Sequence, residues 1–278
     1  MKQFLVKIKI AKFMQIEQYD FYGLKISNYS IDELFNYYDI VTKGPKTIVC
    51  YGYSFGILPF FKKYKDLYRI INNFDINVID GTQFYWFVKL MGYKLKTFLS
   101  IPFLTIKTLE YANENKKSVL LLGADIETNK TAIFNLKAKY PNALFFDGKD
   151  GYFSEEEERE VVNFINKKRP NILLIGISSP KKERFADKYK NELTANIIIP
   201  CGGMIDVFAG KVKLAPPFLK KIGLATLIRV VQEPRRQLFL NIWLVYETLF
   251  KIIPYTIFQI KIKRNKKFTI PNIYGIGN

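Results

Sequence analysis

The chain has 278 residues, 49% of them hydrophobic, which is enough apolar material for one large α/β domain with an appendage. Its two cysteines, Cys50 and Cys201, form no CxxC spacing and it has no histidine, so the composition argues against a disulfide framework, the usual zinc sites and a histidine base. The net charge of +18 predicts an anionic partner such as nucleic acid, anionic lipid or a diphosphate, and the cysteine usage predicts a reducing cytoplasm.

The first segment, residues 1–15, is basic and partly apolar. Lysines interrupt its apolar residues, and no small-residue cleavage site follows. The segment therefore does not resemble a signal peptide, and we expect an edge strand or a surface-lying lead-in.

From about Thr47 to Pro200, short apolar runs alternate with helix-like stretches. The apolar runs cover residues 47–51, 76–80, 118–124, 143–147, 171–178 and 196–200. The run 171–178 is apolar on both faces, as strands between two helix layers are. The alternation predicts an α/β fold with a Rossmann-like, doubly wound, mostly parallel sheet. We expect this core to span residues 1–210 and a basic, largely helical appendage to span residues 211–278.

One helix start is marked strongly. Ser154 precedes four glutamates, with Glu157 at the capping-box position, and Pro170 follows later. This pattern predicts a helix over residues 155–168.

Small and polar residues follow most of the predicted strands. They are Asp80-Gly81, Gly123, Asp147-Gly148, Ser178-Ser179-Pro180 and Gly202-Gly203. Ligands of parallel α/β sheets bind beyond the carboxyl ends of the strands, so these residues predict one crevice.

Asp80 has two interpretations. Asp-Gly after a strand is typical of a tight turn, in which the aspartate binds backbone and the glycine takes a positive φ. The same position at the mouth of a sheet suits a general base, whose pKa partial burial raises.

The other crevice segments are equally open to two interpretations. Ser179, with Lys181 or Lys182, lies at a predicted helix start that suits a phosphate, but the GxxxxGK[ST] spacing is absent and a plain helix start fits as well. Gly202 and Gly203 permit close approach of backbone to a ligand, or form a turn without one.

Positive charge is concentrated after residue 210. Thirteen Lys or Arg and two acidic residues between Lys211 and Lys267 give this stretch a net charge of +11. Its apolar run 238–260 is interrupted by polar residues and a proline, which favours an interfacial amphipathic segment over a membrane span. Arg229 and Arg236 lie about two helical turns apart, either on a solvated face or as a fork for a diphosphate.

Five ordered segments resemble the pattern of the WecG/TagA/CpsF family of bacterial glycosyltransferases. That pattern has a DG after an early strand, followed by G.PkQE, GG.fD..aG, RAP and RL..EP.R. The counterparts here are Asp80-Gly81, Gly176 with Pro180-Lys181-Lys182-Glu183, Gly202-Gly203 through Asp206 to Ala209-Gly210, Ala215-Pro216, and Arg229 with Glu233-Pro234 and Arg236. The resemblance covers roughly residues 45–240.

The resemblance implies a metal-independent, inverting glycosyltransferase that needs no cofactor. Its donor would be a UDP-N-acetylhexosamine or the corresponding uronic acid, and its acceptor a polyprenyl-diphosphate-linked sugar in cell-surface polysaccharide or teichoic acid synthesis. The family's catalytic base falls on Asp80. The residues expected to bind the donor or its diphosphate are Gly81, Ser54, Ser179, Lys182, Gly202, Gly203, Asp206, Arg229 and Arg236.

The chain departs from the family pattern at several positions. Many relatives have a Thr and an Asn near the end of the first core strand, where this chain reads VCYGYSF, and either Ser54 or Tyr53 stands in for them. Lys182 replaces the glutamine of PkQE, Leu214 the arginine of RAP, and Phe239 a further C-terminal arginine.

Two other kinds of protein fit the composition. One is a catalytically degenerate relative that only binds the membrane surface, and the other is a nucleic-acid-binding protein, although no RNP, KH or helix-turn-helix signature is present. We expect no nucleic-acid partner and a peripheral location on the anionic inner face of the plasma membrane. The sequence is compatible with a homo-oligomer.

Overall fold

A sheet of six parallel strands forms the centre of the protein. The computed structural model describes residues 16–232, 234, 242–265 and 267–276, and the side chains of all of these except residues 217, 226, 227 and 229. The strands are β1 (Glu17–Phe21), β2 (Leu24–Asn28), β3 (Ile48–Tyr53), β4 (Ile76–Ile79), β5 (Ser118–Gly123), β6 (Leu144–Phe145), β7 (Ile172–Gly176) and β8 (Ile197–Ile199). Strands β3 to β8 form the parallel sheet in the order β4-β3-β8-β7-β5-β6, and β1 pairs with β2 in an antiparallel hairpin.

Helices cover both faces of the sheet. They are α1 (Ile31–Thr42), α2 (Phe60–Lys63), α3 (Asp66–Asn72), α4 (Thr82–Leu90), α5 (Ile101–Glu114), α6 (Ile126–Lys139), α7 (Glu158–Lys168), α8 (Lys181–Tyr189), α9 (Met204–Phe208), α10 (Pro217–Lys221) and α11 (Ala225–Gln232). Alternate residues of β3 enter different apolar clusters, Val49 and Tyr51 on one face of the sheet and Ile48 and Cys50 on the other. The predicted doubly wound, Rossmann-like sheet is confirmed.

The apolar runs of the sequence became the buried strands for a simple reason. All residues of β3, β4, β5 and β8 are buried, because helices on both faces leave no solvent-facing side. Only β6, at the edge of the sheet, is reduced to two residues.

Two local features differ from the sequence-based expectation. The helix predicted over residues 155–168 begins at Glu158, and only half of the expected capping box forms: Glu157 accepts from the Ser154 amide (2.6 Å), and no side chain caps the first turn. The hairpin β1–β2 was not predicted. The strand or lead-in expected over residues 1–15 lies outside the described residues.

Residues 242–262 form a continuous helical segment, called the C-terminal helix below. It comprises residues 242–246, a π-helical stretch Glu247–Ile252, the α-helix α12 (Ile253–Ile257) and a second π-helical stretch Phe258–Ile262; a 3₁₀ helix, Ile270–Tyr274, follows. Among the described residues, no helix is long and apolar enough to cross a membrane.

The end of the chain shares a core with the sheet. Ile252, Phe268, Ile270 and Tyr274 are buried in the same apolar cluster as β3, and the Ile270 amide donates to the Tyr22 carbonyl (2.8 Å). The division into a core of residues 1–210 and an appendage of residues 211–278 stays a prediction, but the two parts pack against one another through this cluster.

Candidate active site

Asp80 lies at the carboxyl end of β4, at the edge where the predicted crevice was expected. Its amide donates to the Tyr53 carbonyl of β3 (2.7 Å), which extends the strand pairing by one residue. Its carboxylate Oδ1 accepts from the amide of Ile101, the first residue of α5 (3.1 Å). Asp80 is therefore half-buried and binds the start of a helix, where backbone amides and the helix dipole favour a negative charge.

Gly52 makes this arrangement of Asp80 sterically allowed. A Cβ at Gly52 would lie 2.9 Å from the Asp80 Cβ and 2.7 Å from the Ile101 Cγ1, both closer than real side chains approach. The strand that carries position 52 thus needs a glycine so that Asp80 and α5 can lie against it.

The Asp-Gly turn also anchors the segment that leads to the C-terminal region. Gly81 has a φ of +91° and precedes α4, as the tight-turn interpretation requires. The Thr82 hydroxyl donates to the Lys220 carbonyl (2.6 Å), and the side-chain amide Nε2 of Gln83 donates to the Gly223 carbonyl. The backbone that carries α10 and α11 therefore lies beside the candidate base.

A buried carboxylate lies at the carboxyl end of the neighbouring strands. Glu183 of α8 is 0% exposed, and its Oε1 accepts from the Tyr51 hydroxyl of β3 (2.6 Å) and the Ser179 hydroxyl (2.7 Å). The Lys182 ammonium lies 2.6 Å from the same oxygen and also donates to Ser179 Oγ. Residues 51, 179, 182 and 183 are called the Glu183 cluster below.

The cluster holds Glu183 in its charged form. Burial alone raises the pKa of a carboxyl group, but the Lys182 ammonium and the two hydroxyls outweigh burial and hold the pKa of Glu183 below its usual range. Burial, and next the charges of Glu183 and Asp80, raise the pKa of Tyr51 well above its usual value, so Tyr51 remains a protonated donor. The other oxygen of Glu183, Oε2, is buried and has no hydrogen-bond partner among the described residues.

The two lysines of the segment have different surroundings. Lys182 belongs to the Glu183 cluster, and its side chain is only 12% exposed. Lys181 instead donates to the Phe153 carbonyl, and its ammonium lies 3.6 Å from the centroid of the Phe153 ring. Of the two candidates in the sequence, Lys182 is therefore the one that the fold brings to Ser179.

Paired glycines line the edge after β8. Gly202 has a φ of +58°, and a Cβ there would meet no atom within 4 Å, so open space lies before its backbone. Gly203 precedes α9, whose first turn contains Asp206.

Cys201, directly before these glycines, is buried, and burial raises the pKa of its thiol to about 12. The Lys182 charge opposes this rise and the Asp206 charge adds to it, so both charged groups lie close to Cys201.

The strand β3 leaves two candidates for the Thr and Asn positions of relatives. The Tyr53 hydroxyl is fully buried and donates to Asn72 Oδ1 (2.7 Å), within the core beneath the hairpin. Ser54 is half-buried in the turn that leaves the strand. Ser54 is therefore the member of this pair that remains at the edge of the sheet.

Other predicted crevice residues have structural contacts or lie outside the described residues. A Cβ at Gly123 would lie 2.4 Å from the Gly176 carbonyl oxygen, and one at Gly148 would overlap Asn129, so both glycines serve close backbone packing. The backbone of Arg229 lies in α11, but its side chain is not among those described, and Arg236 lies outside the described residues.

Tyr51, Gly52 and Glu183 belong to this site, although no local pattern in the sequence indicated them. Glu183 stood in a recognised segment without an assigned role, and Tyr51 was part of a strand assigned to the core. Among the described residues, no group of three or more His, Cys, Asp or Glu side chains is arranged to hold a metal ion.

The sequence of residues 19–256 matches the model of the glycosyl transferase WecG/TagA/CpsF family. The chain belongs to this family of glycosyltransferases. A relative from Bacillus subtilis (strain 168) is 24% identical over 209 residues, which is 75% of this chain and 77% of the relative. Relatives from Staphylococcus aureus strains MRSA252 and MW2 are 30% identical over 172 residues, 60% of this chain and 65% of each relative. All three are named N-acetylglucosaminyldiphosphoundecaprenol N-acetyl-beta-D-mannosaminyltransferase.

Tyr51 links Asp80 to the Glu183 cluster of this WecG/TagA/CpsF glycosyltransferase. Asp80 follows β4, and the cluster joins Tyr51 of the adjacent strand β3 to residues 179, 182 and 183, which follow β7. The Tyr51 side chain is within the electrostatic reach of both carboxylates, and the Lys182 ammonium lies 5.8 Å from the centroid of the Tyr51 ring.

Proposed function

We propose that the chain transfers an N-acetylhexosamine, or the corresponding uronic acid, from a UDP-sugar to a polyprenyl-diphosphate-linked sugar in cell-surface polysaccharide or teichoic acid synthesis. The observation that carries this proposal is the Asp80 carboxylate at the sheet edge, beside the cluster that fixes Lys182, in a chain of this family. The names of the relatives support a lipid-diphosphate acceptor.

Asp80 acts as the general base in this reaction. Its carboxylate takes the proton of the acceptor hydroxyl while the hydroxyl oxygen forms a bond to the anomeric carbon of the donor. The bond from that carbon to the diphosphate oxygen breaks, the electron pair leaves with UDP, and the configuration at the carbon inverts. The Ile101 amide binds Oδ1 and so orients the carboxylate towards the crevice.

The donor diphosphate is held by positive side chains and backbone amides. Lys182 is kept in place by Glu183 and Ser179, so little side-chain entropy is lost when it meets an anion. Gly202 and Gly203 offer backbone without side chains at the same edge, and Gly81, Ser54 and Asp206 line it further. Arg229 and Arg236 complete this set as diphosphate ligands in our proposal.

The C-terminal helix docks on an anionic membrane surface. Its core-facing side carries the polar residues Glu247, Thr248, Thr256 and Gln259, all buried, together with Ile252. Its outer side is apolar and exposed, with Ile242, Trp243, Val245, Tyr246, Leu249, Phe250, Tyr255, Phe258 and Ile262. Ile253, Ile257 and Ile260 also pack against the core, so the outer residues form a second, exposed apolar surface. Such a surface favours an external apolar environment, and a bilayer supplies one.

Exposed cations lie beside this apolar surface. They are Lys251, Lys261, Lys263, Arg264 and Lys267. Each basic residue near an anionic bilayer contributes about 1 kcal/mol, and salt screens this contribution. The inner face of the plasma membrane, where a lipid-linked acceptor and a cytoplasmic nucleotide-sugar meet, fits both the charge and the apolar surface.

The experiment is to incubate the full chain with UDP-sugars and a lipid-diphosphate-linked GlcNAc, and to weigh the products. We expect one donor to extend the acceptor by one residue of N-acetylhexosamine or uronic acid, at the same rate with and without EDTA. Loss of transfer in EDTA that magnesium or manganese restores would contradict the metal-independent mechanism. Absence of transfer with every donor would favour a degenerate relative instead.

A further inference from the structure

A groove runs between the C-terminal helix and the 3₁₀ helix that follows it. It has a volume of about 660 Å³ and is lined by Lys62, Phe250, Lys251, Pro254, Tyr255, Phe258, Asn272, Ile273 and Tyr274. This volume lies in the range of roughly 300–1,000 Å³ that is usual for small-molecule sites.

The walls of the groove are mainly apolar, and its charged groups are cationic. Phe250, Tyr255 and Phe258 are exposed, so each keeps ring surface that neither the core nor a neighbouring ring covers. The side chains of Lys62 and Lys251 supply positive charge at the same groove. Among the described residues, Lys62 forms no ion pair, and Lys251 is 44% exposed although it contacts Glu247. Apolar walls with cations are complementary to an anionic amphiphile.

The groove is connected to the candidate active site by the loop that follows β3. A Cβ at Gly56, two residues after Ser54, would lie 3.9 Å from Leu244 Cδ1 of the C-terminal helix. The ring centroids of Phe60 and Trp243 lie 6.3 Å apart, and Lys62 follows Phe60 in α2. One turn of α-helix rises about 5.4 Å, so the helix leads from Trp243 to the groove residue Phe250 over about two turns.

We infer that this groove binds the lipid part of the lipid-linked acceptor, with the isoprenyl chain against its aromatic walls and the diphosphate beside Lys62 and Lys251, while the sugar extends towards Asp80. The inference rests on the proposed function, because that function supplies a polyprenyl-diphosphate substrate. A single chain fits because the groove combines aromatic walls with lysines, whereas general membrane contact uses the whole outer side of the helix. Leu249 and Ile262 belong to that outer side and do not line the groove.

The test compares substitutions inside and outside the groove in the full chain. Phe258→Ser and Tyr255→Ser remove groove walls, whereas Leu249→Ser and Ile262→Ser remove apolar residues of the same helix that are at least as exposed and lie outside the groove. Transfer is measured in detergent micelles with two acceptors that share the sugar diphosphate and differ in chain, one a long isoprenyl and the other a short alkyl. We expect the groove variants to lower kcat/KM about tenfold for the long chain only, since each buries apolar area against it.

A binding measurement without transfer provides the second readout. Titration calorimetry with farnesyl diphosphate should give an affinity that falls about fivefold in Phe258→Ser, and the affinity for inorganic diphosphate should be the same in both proteins. Equal farnesyl diphosphate binding by wild type and both groove variants would overturn the inference. Equal losses in groove and control variants would do the same, because they would indicate general lipid contact.

The outcomes also separate this inference from the proposed function. The wild-type chain could transfer no sugar, while the Phe258→Ser variant bound farnesyl diphosphate more weakly than the wild type. The groove would then be supported and the proposed reaction would be wrong. If transfer proceeded with the same chain-length preference in every variant, the reaction would stand and the groove would be wrong.

Discussion

Two buried glutamates with neighbouring lysines, one in the sheet core and one in the C-terminal helix, have different surroundings. Glu183 is 0% exposed and lies 2.6 Å from the Lys182 ammonium, and Glu247 is 3% exposed and lies 3.0 Å from that of Lys251. In both glutamates Oε2 is buried without a hydrogen-bond partner among the described residues.

The difference lies in the other donors and in the freedom of the lysine. Glu183 also accepts from Tyr51 and Ser179, and the Lys182 side chain is 12% exposed. Among the described residues Glu247 accepts a side-chain hydrogen bond from Lys251 alone, and the Lys251 side chain is 44% exposed. The Lys182 ammonium is therefore held in one place, whereas the Lys251 ammonium keeps much of its solvent exposure, and we propose that the first meets the donor and the second a lipid. Substitutions in the Glu183 cluster should alter transfer to every acceptor, whereas substitutions in the C-terminal helix should alter transfer only to acceptors with a long isoprenyl chain.

The largest effect in this comparison should follow Asp80→Asn. The asparagine keeps an oxygen that can accept from the Ile101 amide, so the fold should persist while the base is lost. Turnover should fall about 10²-fold or more with long-chain and short-chain acceptors alike, and donor affinity should stay nearly unchanged. Turnover within a few-fold of wild type would remove Asp80 from the mechanism.

A pair of alanine variants separates catalysis from helix capping. Asp80→Ala removes both the base and the bond to Ile101, and Ser30→Ala removes the hydroxyl that caps α1 far from the crevice. Each should lower the free energy of unfolding by about 1 kcal/mol. Only Asp80→Ala should also lower turnover, to about the same extent as Asp80→Asn.

Substitution of Glu183 should have a smaller effect on transfer than substitution of Asp80, and the same substitution at Glu247 is its matched control. Glu183→Gln leaves Lys182 without its buried partner, so the KM for the donor should rise about tenfold with kcat little changed. Glu247→Gln should leave the donor KM unchanged. A lower melting temperature of Glu183→Gln without any change in donor KM would show that the cluster only stabilises the fold.

The pH dependence of stability gives the sign of the Glu183 contribution. Because the folded protein holds the pKa of Glu183 below its usual range, the charged form stabilises the fold above the unfolded pKa of about 4.3. The difference in unfolding free energy between wild type and Glu183→Gln should therefore be constant from about pH 6 to 8 and shrink as the pH falls below about 4.3. Urea unfolding at a series of pH values measures it.

Membrane binding should respond to the C-terminal helix alone. Replacing both Val245 and Leu249 by serine removes exposed apolar surface and should weaken binding to anionic vesicles roughly tenfold. Phe134→Ser, an exposed aromatic on α6, should change nothing. High salt should release the wild-type chain only in part, because salt screens the charges and not the apolar contact. Equal vesicle binding by all three proteins would exclude this helix as the docking surface.

The smallest expected effect concerns the two cysteines of the core. Burial raises the pKa of both Cys50 and Cys201 to about 12, so neither forms the reactive thiolate near neutral pH. A thiol reagent should label neither in the folded chain and both after unfolding, and prior treatment with the reagent should leave transfer unchanged. Rapid labelling of Cys201 in the native protein would mean that the edge after β8 opens.

The sheet and part of the site followed from residue patterns along the chain. Apolar runs at regular spacing predict buried parallel strands, and the position of Asp80 after such a run predicts its place at the carboxyl edge. The Glu183 cluster depends on a contact between Tyr51 and Glu183, which are 132 residues apart, and no local pattern encodes that distance. The same holds for the choice of Lys182 over Lys181, because both stand in the first turn of α8 and only packing distinguishes them.

The orientation of the C-terminal helix was also beyond a local pattern. An amphipathic sequence indicates two faces, and the usual expectation is that the apolar one meets the core. Here Glu247, Thr256 and Gln259 are buried and Trp243 and Phe250 are exposed. The sequence predicted an interfacial segment from its charges and interruptions, but only the packing identifies which side each residue takes.

The bond from the Ile270 amide to the Tyr22 carbonyl bears on how the chain matures during synthesis. Ribosomes add about 5–20 residues per second, so on the order of 10–50 s separate the appearance of these two residues. During that interval the hairpin β1–β2 lacks the cover that Phe268 and Ile270 later provide. The nascent chain therefore carries an incomplete apolar surface on this hairpin until residues 268–270 emerge.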